Sequence, residues 1–311
     1  LPVLFCQILL TVHRMTYRET GKQAGGMTMP TFFNQATLSF NDTVINSNIT
    51  TGELVEVLSI TKTAVSDTYG ENDVVTYAVS IVNTGTTAFT GLTLTDDLGT
   101  YPLGTLTFTP LTLIPGTVRY YQGGVLQPTP TVTAGPPMTV TPITVPAGSN
   151  ATIVYSARVN QFAPLAAGGT IDNTVTVTGG GIAPLTATET VTAVQAPELT
   201  ISKSICPAVV TENGRITYTF VIQNSGNTEV VATDDAIVRD IFNPILSDLT
   251  VTYNGAPWAE TVNYTYDETT GTFATLPGQI TVPAATYTQD PNTGAWAVDP
   301  GTVTLTVTGS I

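Results

Sequence analysis

The chain has 311 residues, a formal net charge of −14 and only 10 % charged residues. This length suits two domains of ordinary size. The acidic balance excludes the basic surface that nucleic-acid binding requires, and a single histidine argues against histidine-based catalysis or a histidine metal site. Threonine and valine are abundant, and positions such as 74–81 alternate between apolar and polar residues, which predicts an all-β protein.

Residues 1–29 are expected to form a tail outside the fold. Residues 1–12 are apolar, but no basic segment precedes them and no small-residue cleavage site follows, so they make a poor signal peptide. They are also too short to span a membrane. Cys6 lies in this tail and Cys206 in the second half of the chain, so two unrelated thiols are favoured over a disulfide between subunits.

Residues 30–57 are predicted to contain a single strand followed by a linker. The strand begins near Asn34 and places Asn34, Ala36, Leu38 and Phe40 on one face, because side chains alternate along a strand. The polar stretch 46–53 is interpreted as a hinge. This strand has no domain of its own in the sequence, which suggests that it is donated to another domain.

Two repeats follow, over residues 58–195 and 196–311. Residues 62–85 align with 203–226 without a gap, and the strand signals recur at the spacing of an immunoglobulin-like sandwich. The first repeat ends with the strand 173–178. The second repeat is expected to lack this last strand. Lys62 follows Asn34 at nearly the spacing at which Lys203 follows Asn173, so the strand near Asn34 is predicted to complete the second repeat of a neighbouring subunit.

The repeats share a recognisable pattern. A lysine in the first strand is followed by T-Y-x-V-x-I-x-N-x-G at 76–85, by T-D at 95–96 and by a late N-T-V-T-V-T strand at 173–178. Over residues 33–311 this pattern resembles a repeat family of bacterial and archaeal surface and cell-wall proteins, called domain of unknown function 11. The resemblance implies an immunoglobulin-like fold and a surface location, and it carries no specific activity.

Lys62 and Lys203 occupy equivalent positions in the two repeats, which suggests isopeptide chemistry. In such a bond a buried neutral lysine attacks an asparagine carbonyl that a protonated acid polarises. The first predicted set is Lys62, Asn173 and Asp96, and the second is Lys203 and Asp240 with Asn34 of a neighbouring subunit. The alternative interpretation treats the lysines as edge charges paired with the aspartates, and the asparagines as turn formers. Asp97 and Asp235 are expected to face solvent.

Other site types have weak support. The aspartate pairs at 96–97 and 234–235 lack the spacing of a calcium loop and are interpreted as solvated turns. The aromatic residues Trp258, Trp296, Tyr264 and Tyr266 are interpreted as core or sheet-face residues, with a sugar-binding platform as the alternative. Walker, nucleophile-elbow and zinc spacings are absent from the sequence, so we expect no enzyme, cofactor or metal.

Together these features predict a structural subunit of an extracellular filament on a cell or spore surface. It would assemble head to tail with copies of itself by donor-strand complementation, with Lys–Asn isopeptide cross-links, and with neither a nucleic-acid partner nor a membrane span. The alternative is a monomeric cell-surface adhesin or binding module, in which the strand folds back onto its own chain.

Overall fold

The computed structural model describes residues 31–40, 43–53 and 57–311. The expected tail, with Cys6, His13 and Lys22, lies outside them. The described residues form β-strands and one short 3-10 turn (Ala232–Asp234) without an α-helix, so the all-β prediction is confirmed. None of these residues belongs to a helix with the length and apolar character of a membrane span.

Residues 31–40 and 43–53 pair as the two arms of a β-hairpin. Its strands are β1 (Thr31–Asn34), β2 (Thr37–Phe40), β3 (Thr43–Asn46) and β4 (Thr50–Glu53). Strand β1 pairs with β4, with Asn34 opposite Thr50, and β2 pairs with β3, with Leu38 opposite Ile45. The register shifts by one residue between the two pairs, as at a β-bulge.

The predicted hinge over 46–53 is wrong at both ends, because Asn46 belongs to the paired strand β3 and residues 50–53 form the paired strand β4. Thr50 and Thr51 are β-branched residues that favour extended backbone. They are polar, however, and the stretch therefore has no apolar alternation that would reveal a strand.

The first sandwich buries its core between two sheets. One sheet has the order β13-β12-β16-β7-β5, with β11 also on β16, and the other has the order β14-β15-β8-β17-β18-β6. The strands are β5 (Leu58–Ala64), β6 (Thr68–Tyr69), β7 (Val74–Asn83), β8 (Phe89–Asp96), β9 (Tyr101–Leu103), β10 (Leu106–Phe108), β11 (Leu111–Leu113), β12 (Arg119–Gln122), β13 (Val125–Gln127), β14 (Thr131–Thr133), β15 (Met138–Val145), β16 (Ser149–Val159), β17 (Thr170–Thr178) and β18 (Leu185–Ala193).

The second sandwich has a five-stranded sheet, β19-β20-β28-β22-β23, and a three-stranded sheet, β21-β25-β24; strands β26 and β27 pair separately. The strands are β19 (Leu199–Cys206), β20 (Arg215–Asn224), β21 (Arg239–Ile241), β22 (Ser247–Tyr253), β23 (Ala256–Trp258), β24 (Tyr264–Asp267), β25 (Thr272–Thr275), β26 (Thr286–Gln289), β27 (Trp296–Asp299) and β28 (Gly301–Ser310). A separate hydrophobic core includes Phe242, Phe273 and Leu305.

The two sandwiches differ at one sheet edge. In the first, β8 lies between β15 and β17. In the second, the equivalent strand β21 pairs with β25, and its other side is unpaired within the described residues. An unpaired edge presents free backbone donors and acceptors.

Candidate functional site

Three polar side chains point into the core of the first sandwich. Lys62 lies on the inner face of β5 with Leu58 and Ile60; Lys62 and Leu58 are buried, and Ile60 is half-buried. Asp96 is the last inward residue of β8, and Asn173 is an inward residue of β17. Because side chains alternate along a strand, the same pattern that builds the core brings these groups together.

A tyrosine joins the three groups. Lys62 Nζ lies 2.7 Å from Asp96 Oδ2, and both side chains are completely buried. The Tyr155 hydroxyl donates a 2.6 Å hydrogen bond to the same carboxylate oxygen. It also accepts a 3.1 Å hydrogen bond from Asn173 Nδ2. The amide nitrogen of Asn173 is therefore oriented toward the Lys62–Asp96 pair through Tyr155.

The carbonyl oxygen of Asn173 is left without a partner. Oδ1 is buried and makes no hydrogen bond within the described residues. Buried polar atoms are nearly always hydrogen-bonded, so an exception calls for an explanation. Here the amide nitrogen is held and the carbonyl oxygen has both lone pairs free to accept a proton or a hydrogen bond.

The surroundings of Lys62 disfavour its charge. Burial lowers the pKa of the Lys62 ammonium, and the nearby Asp96 carboxylate opposes this shift. The stacked rings of Tyr77 and Tyr155, with centroids 5.5 Å apart, wall the site. Burial raises the pKa of Tyr155, so its hydroxyl keeps its proton as a hydrogen-bond donor. The site therefore lowers the cost of a neutral amine beside a carboxyl group.

The alternative interpretation of Lys62 is correct about its partner and wrong about its position. It pairs with Asp96, but it is buried in the core and is not a snorkelling edge charge. Asn173 lies in the interior of a strand and is not a turn former.

Asp97 differs from its predicted solvent-facing position. It is half-buried and accepts hydrogen bonds from the backbone N–H groups of Gly99 and Thr174, at 2.8 and 2.9 Å. Burial raises the pKa of Asp97, and these hydrogen bonds oppose the shift. The residue ties β17 to the end of β8. Asp235 is exposed, as expected.

The second sandwich contains a related but open pair. Lys203 hydrogen-bonds with Asp240, and their side chains are 39 % and 18 % exposed. The rings of Tyr218, Phe220 and Phe242 lie 4.3, 5.4 and 5.3 Å from Lys203 Nζ. These aromatic rings therefore exclude water from one side of the Lys203–Asp240 pair, while the other side faces solvent.

One group of the first site is replaced in the second. Tyr155 lies opposite Tyr77 in the pairing of β7 with β16. In the equivalent pairing of β20 with β28, Val307 lies opposite Tyr218. No hydroxyl can therefore occupy this position beside Asp240.

The predicted polymerisation residues lie in the N-terminal hairpin. Asn34, Ala36 and Leu38 are exposed, and the described part of the chain does not bring them to Lys203. Phe40 belongs to β2, and its side chain lies outside the described residues.

Sequence reasoning missed the role of Tyr155. Its signal is an inward position in β16 between buried Ile153 and Ala157, where a hydroxyl needs a partner. The other aromatic residues pack within the fold: Trp258 stacks on Tyr253 with ring centroids 4.7 Å apart, and Tyr264 packs on Phe273. Across residues 31–40, 43–53 and 57–311, His, Cys, Asp and Glu side chains form no cluster able to hold a metal ion.

No protein-family model and no curated protein matches the chain. The resemblance to domain of unknown function 11 therefore stays a prediction. Among solved structures, the chain is similar to the C-terminal domain of the Streptococcus agalactiae AgI/II polypeptide BspA, at 13 % identity and a TM-score of 0.30, over 81 % of this chain and 91 % of that one.

A second similar structure is BcpA, the major pilin subunit of Bacillus cereus, at 13 % identity and a TM-score of 0.34, over 88 % of this chain and 74 % of that one. A third is the C-terminal fragment of the major pilin GBS80 of Streptococcus agalactiae, at 12 % identity and a TM-score of 0.32, over 71 % of this chain and 79 % of that one. The structural neighbours of this all-β chain thus include two pilin subunits.

Proposed function

We propose that the protein is a structural subunit of an extracellular filament or appendage, and that it assembles head to tail with copies of itself. The strand 34–40 of one subunit would lie along the free edge of β21 in the next. One observation carries the proposal: β17 covers this edge in the first sandwich, and an exposed strand whose asparagine precedes a lysine at nearly the same spacing lies before β5.

An exposed apolar residue supports this joint. Leu38 of the hairpin lies on the face that carries Asn34 and is 54 % exposed. A two-stranded hairpin is marginally stable alone in water, and an open edge is an aggregation liability. Strand insertion satisfies the backbone groups of both and buries alternate side chains. The contact joins two different surfaces, so repeated addition produces an open fibre.

The buried triad supports an isopeptide bond within the first sandwich. Transfer of a proton from Lys62 to Asp96 leaves a neutral amine and a carboxylic acid. The amine nitrogen attacks Cγ of Asn173 while Asp96 protonates Oδ1. Nδ2 then takes a proton from the attacking lysine nitrogen and the bond from Cγ to Nδ2 breaks. As the carbonyl re-forms, the Oδ1 proton returns through Asp96 to the departing ammonia, which leaves as ammonium, and Asp96 is again a carboxylate. The reaction is redox-neutral and needs no cofactor.

The same bond would join subunits at the second sandwich. Lys203 supplies the amine, Asp240 the acid and Asn34 of the inserted strand the amide. Insertion would also exclude the remaining water from Lys203 and Asp240. Only a docked subunit would then provide both the amide and the dry site.

A location outside the cell fits the composition. A low charge density is common in extracellular β-structures, and the acidic excess keeps such a surface soluble. We therefore place the filament on a cell or spore surface.

Fibre formation by residues 31–311 tests the proposal. Electron microscopy and size exclusion should show fibres for these residues and monomers when 31–53 are deleted. Leu38→Asp should also prevent assembly, whereas Ser39→Asp, on the opposite face, should not. Normal fibres from the deletion would reject the proposal. A compact monomer of residues 31–311 with a protected hairpin would favour the adhesin alternative.

A further inference from the structure

We propose that the inserted element is the whole hairpin 31–53, and that its second strand, β3 with β4, covers β19 of the next subunit. This inference rests on the proposed head-to-tail assembly, and it adds a second surface to the joint.

The first sandwich shows what such a second strand does. There β17 and β18 form a hairpin in which β17 pairs with β8 while β18 packs over β5. Glu189 of β18 accepts a 3.1 Å hydrogen bond from the backbone N–H of Ala64 in β5. A single strand along β8 would leave β5 open, so β18 is the element that closes this side of the sandwich.

Strand β19, the equivalent of β5 in the second sandwich, is exposed along its whole length. Every residue of β19 is exposed, whereas every second residue of β5 is buried or half-buried. Leu199 is 44 % exposed and its equivalent Leu58 is 8 % exposed. The Lys203 side chain is likewise more exposed than that of Lys62. Apolar surface of this extent on one strand indicates a missing cover.

The N-terminal hairpin has matching cross-strand pairs. Asn34 lies opposite Thr50 as Asn173 lies opposite Glu189. Four residues further along each first strand, Leu38 lies opposite Ile45 as Val177 lies opposite Leu185.

The two hairpins differ by one residue. At the register shift between β3 and β4, the second strand of the N-terminal hairpin contains one residue more than β18. The inward face of the second strand therefore contains Ile45, and Val44 points to the opposite face.

The connection to the next domain is similarly short in both places, and it differs by one residue. Residues 54–57 separate β4 from β5, and residues 194–198 separate β18 from β19. A hairpin followed at once by a lysine strand is thus a unit that occurs twice in the chain. A joint between subunits that uses the whole hairpin would reproduce the joint between the two sandwiches of one chain.

Two adjacent substitutions test the second strand. Ile45→Asp places a charge on the inward face, where burial is costly, and should reduce fibre mass at least about tenfold. Val44→Asp, on the outward face of the same strand, is the matched control and should assemble normally. If Ile45→Asp assembles like Val44→Asp while Leu38→Asp does not, one strand suffices and this inference fails alone. If Leu38→Asp assembles too, the proposed function fails.

A cross-link measures the contact directly. Two proteins are mixed in a Cys6→Ser, Cys206→Ser background, one with Thr50→Cys and the other with Ile205→Cys, the position equivalent to Ala64. Oxidised fibres should yield linked peptides by mass spectrometry, and these peptides can arise only between subunits. Thr51→Cys in place of Thr50→Cys should give at least about tenfold less, because its side chain points away. The inference would be overturned if Thr50→Cys and Thr51→Cys gave equal linkage in fibres, or if Thr50→Cys gave none.

Discussion

Tyr155 donates a 2.6 Å hydrogen bond to Asp96 in the core of the first sandwich. The same hydroxyl accepts a hydrogen bond from the amide of Asn173. It therefore sets the distance and orientation between the acid and the amide, and it keeps the asparagine carbonyl oxygen free.

Tyr155→Phe should slow the loss of ammonia and destabilise the first sandwich. The substitution removes the donor to Asp96 and leaves Asn173 Nδ2 unpaired, at a cost of about 1–3 kcal/mol in the free energy of unfolding. Intact-mass measurement should show a larger unreacted fraction than in the parent protein. Tyr121→Phe, in β12 of the same sandwich, should leave the reacted fraction unchanged. Complete reaction in Tyr155→Phe would exclude a positioning role.

Asp96→Asn should abolish the isopeptide bond, because an amide cannot accept the lysine proton. The parent protein is expected about 17 Da below its sequence mass, the mass of one ammonia lost when amine and amide condense, and the variant at its full sequence mass. Asp97→Asn is the matched control and should retain the loss. A parent protein at full mass would remove the bond from the proposal.

A variant without the bond should become more stable as the pH rises toward 10.5. In Asn173→Ala the folded state still holds Lys62 with a pKa below its ordinary value of 10.5. Between these two pKa values the unfolded chain binds the proton more tightly than the folded chain, so the free energy of unfolding increases with pH there.

Urea unfolding at a series of pH values measures this slope. Tyrosine ionisation in the unfolded chain contributes an opposite slope, so the comparison is with Asn173→Ala combined with Lys62→Met. The slope should be more positive when Lys62 is present. Equal slopes would mean that burial does not shift the lysine.

Lys203→Ala should abolish detergent resistance while fibres still form in buffer. Fibres of the parent protein should run as a ladder after boiling in detergent, because each joint would contain a covalent bond. Lys62→Ala, which removes only the bond within a subunit, should keep the ladder. A ladder from Lys203→Ala would show that another residue forms the link.

The sequence alone was sufficient for the strand class and the positions of Lys62, Asp96 and Asn173, because period-two alternation places each on an inner face. Tyr155 was not predicted, since an inward tyrosine has the same pattern as any core residue and only its partners distinguish it. The strand Thr50–Glu53 was missed because polar residues on both faces give no alternation. The half-burial of Asp97 depends on backbone donors from β17, which lie far away in sequence.

The position of Lys62 on the first strand of its sandwich and of Asn173 on a late strand has a mechanical consequence. With both proposed bonds in place, tension along a fibre passes from Asn34 to Lys62, across to Asn173, and on to Lys203 and the next subunit. Residues 63–172 and 204–311 lie outside this route and carry no tension. The fibre would then stretch only as far as its hairpins and short connections allow, and neither core would unravel under force.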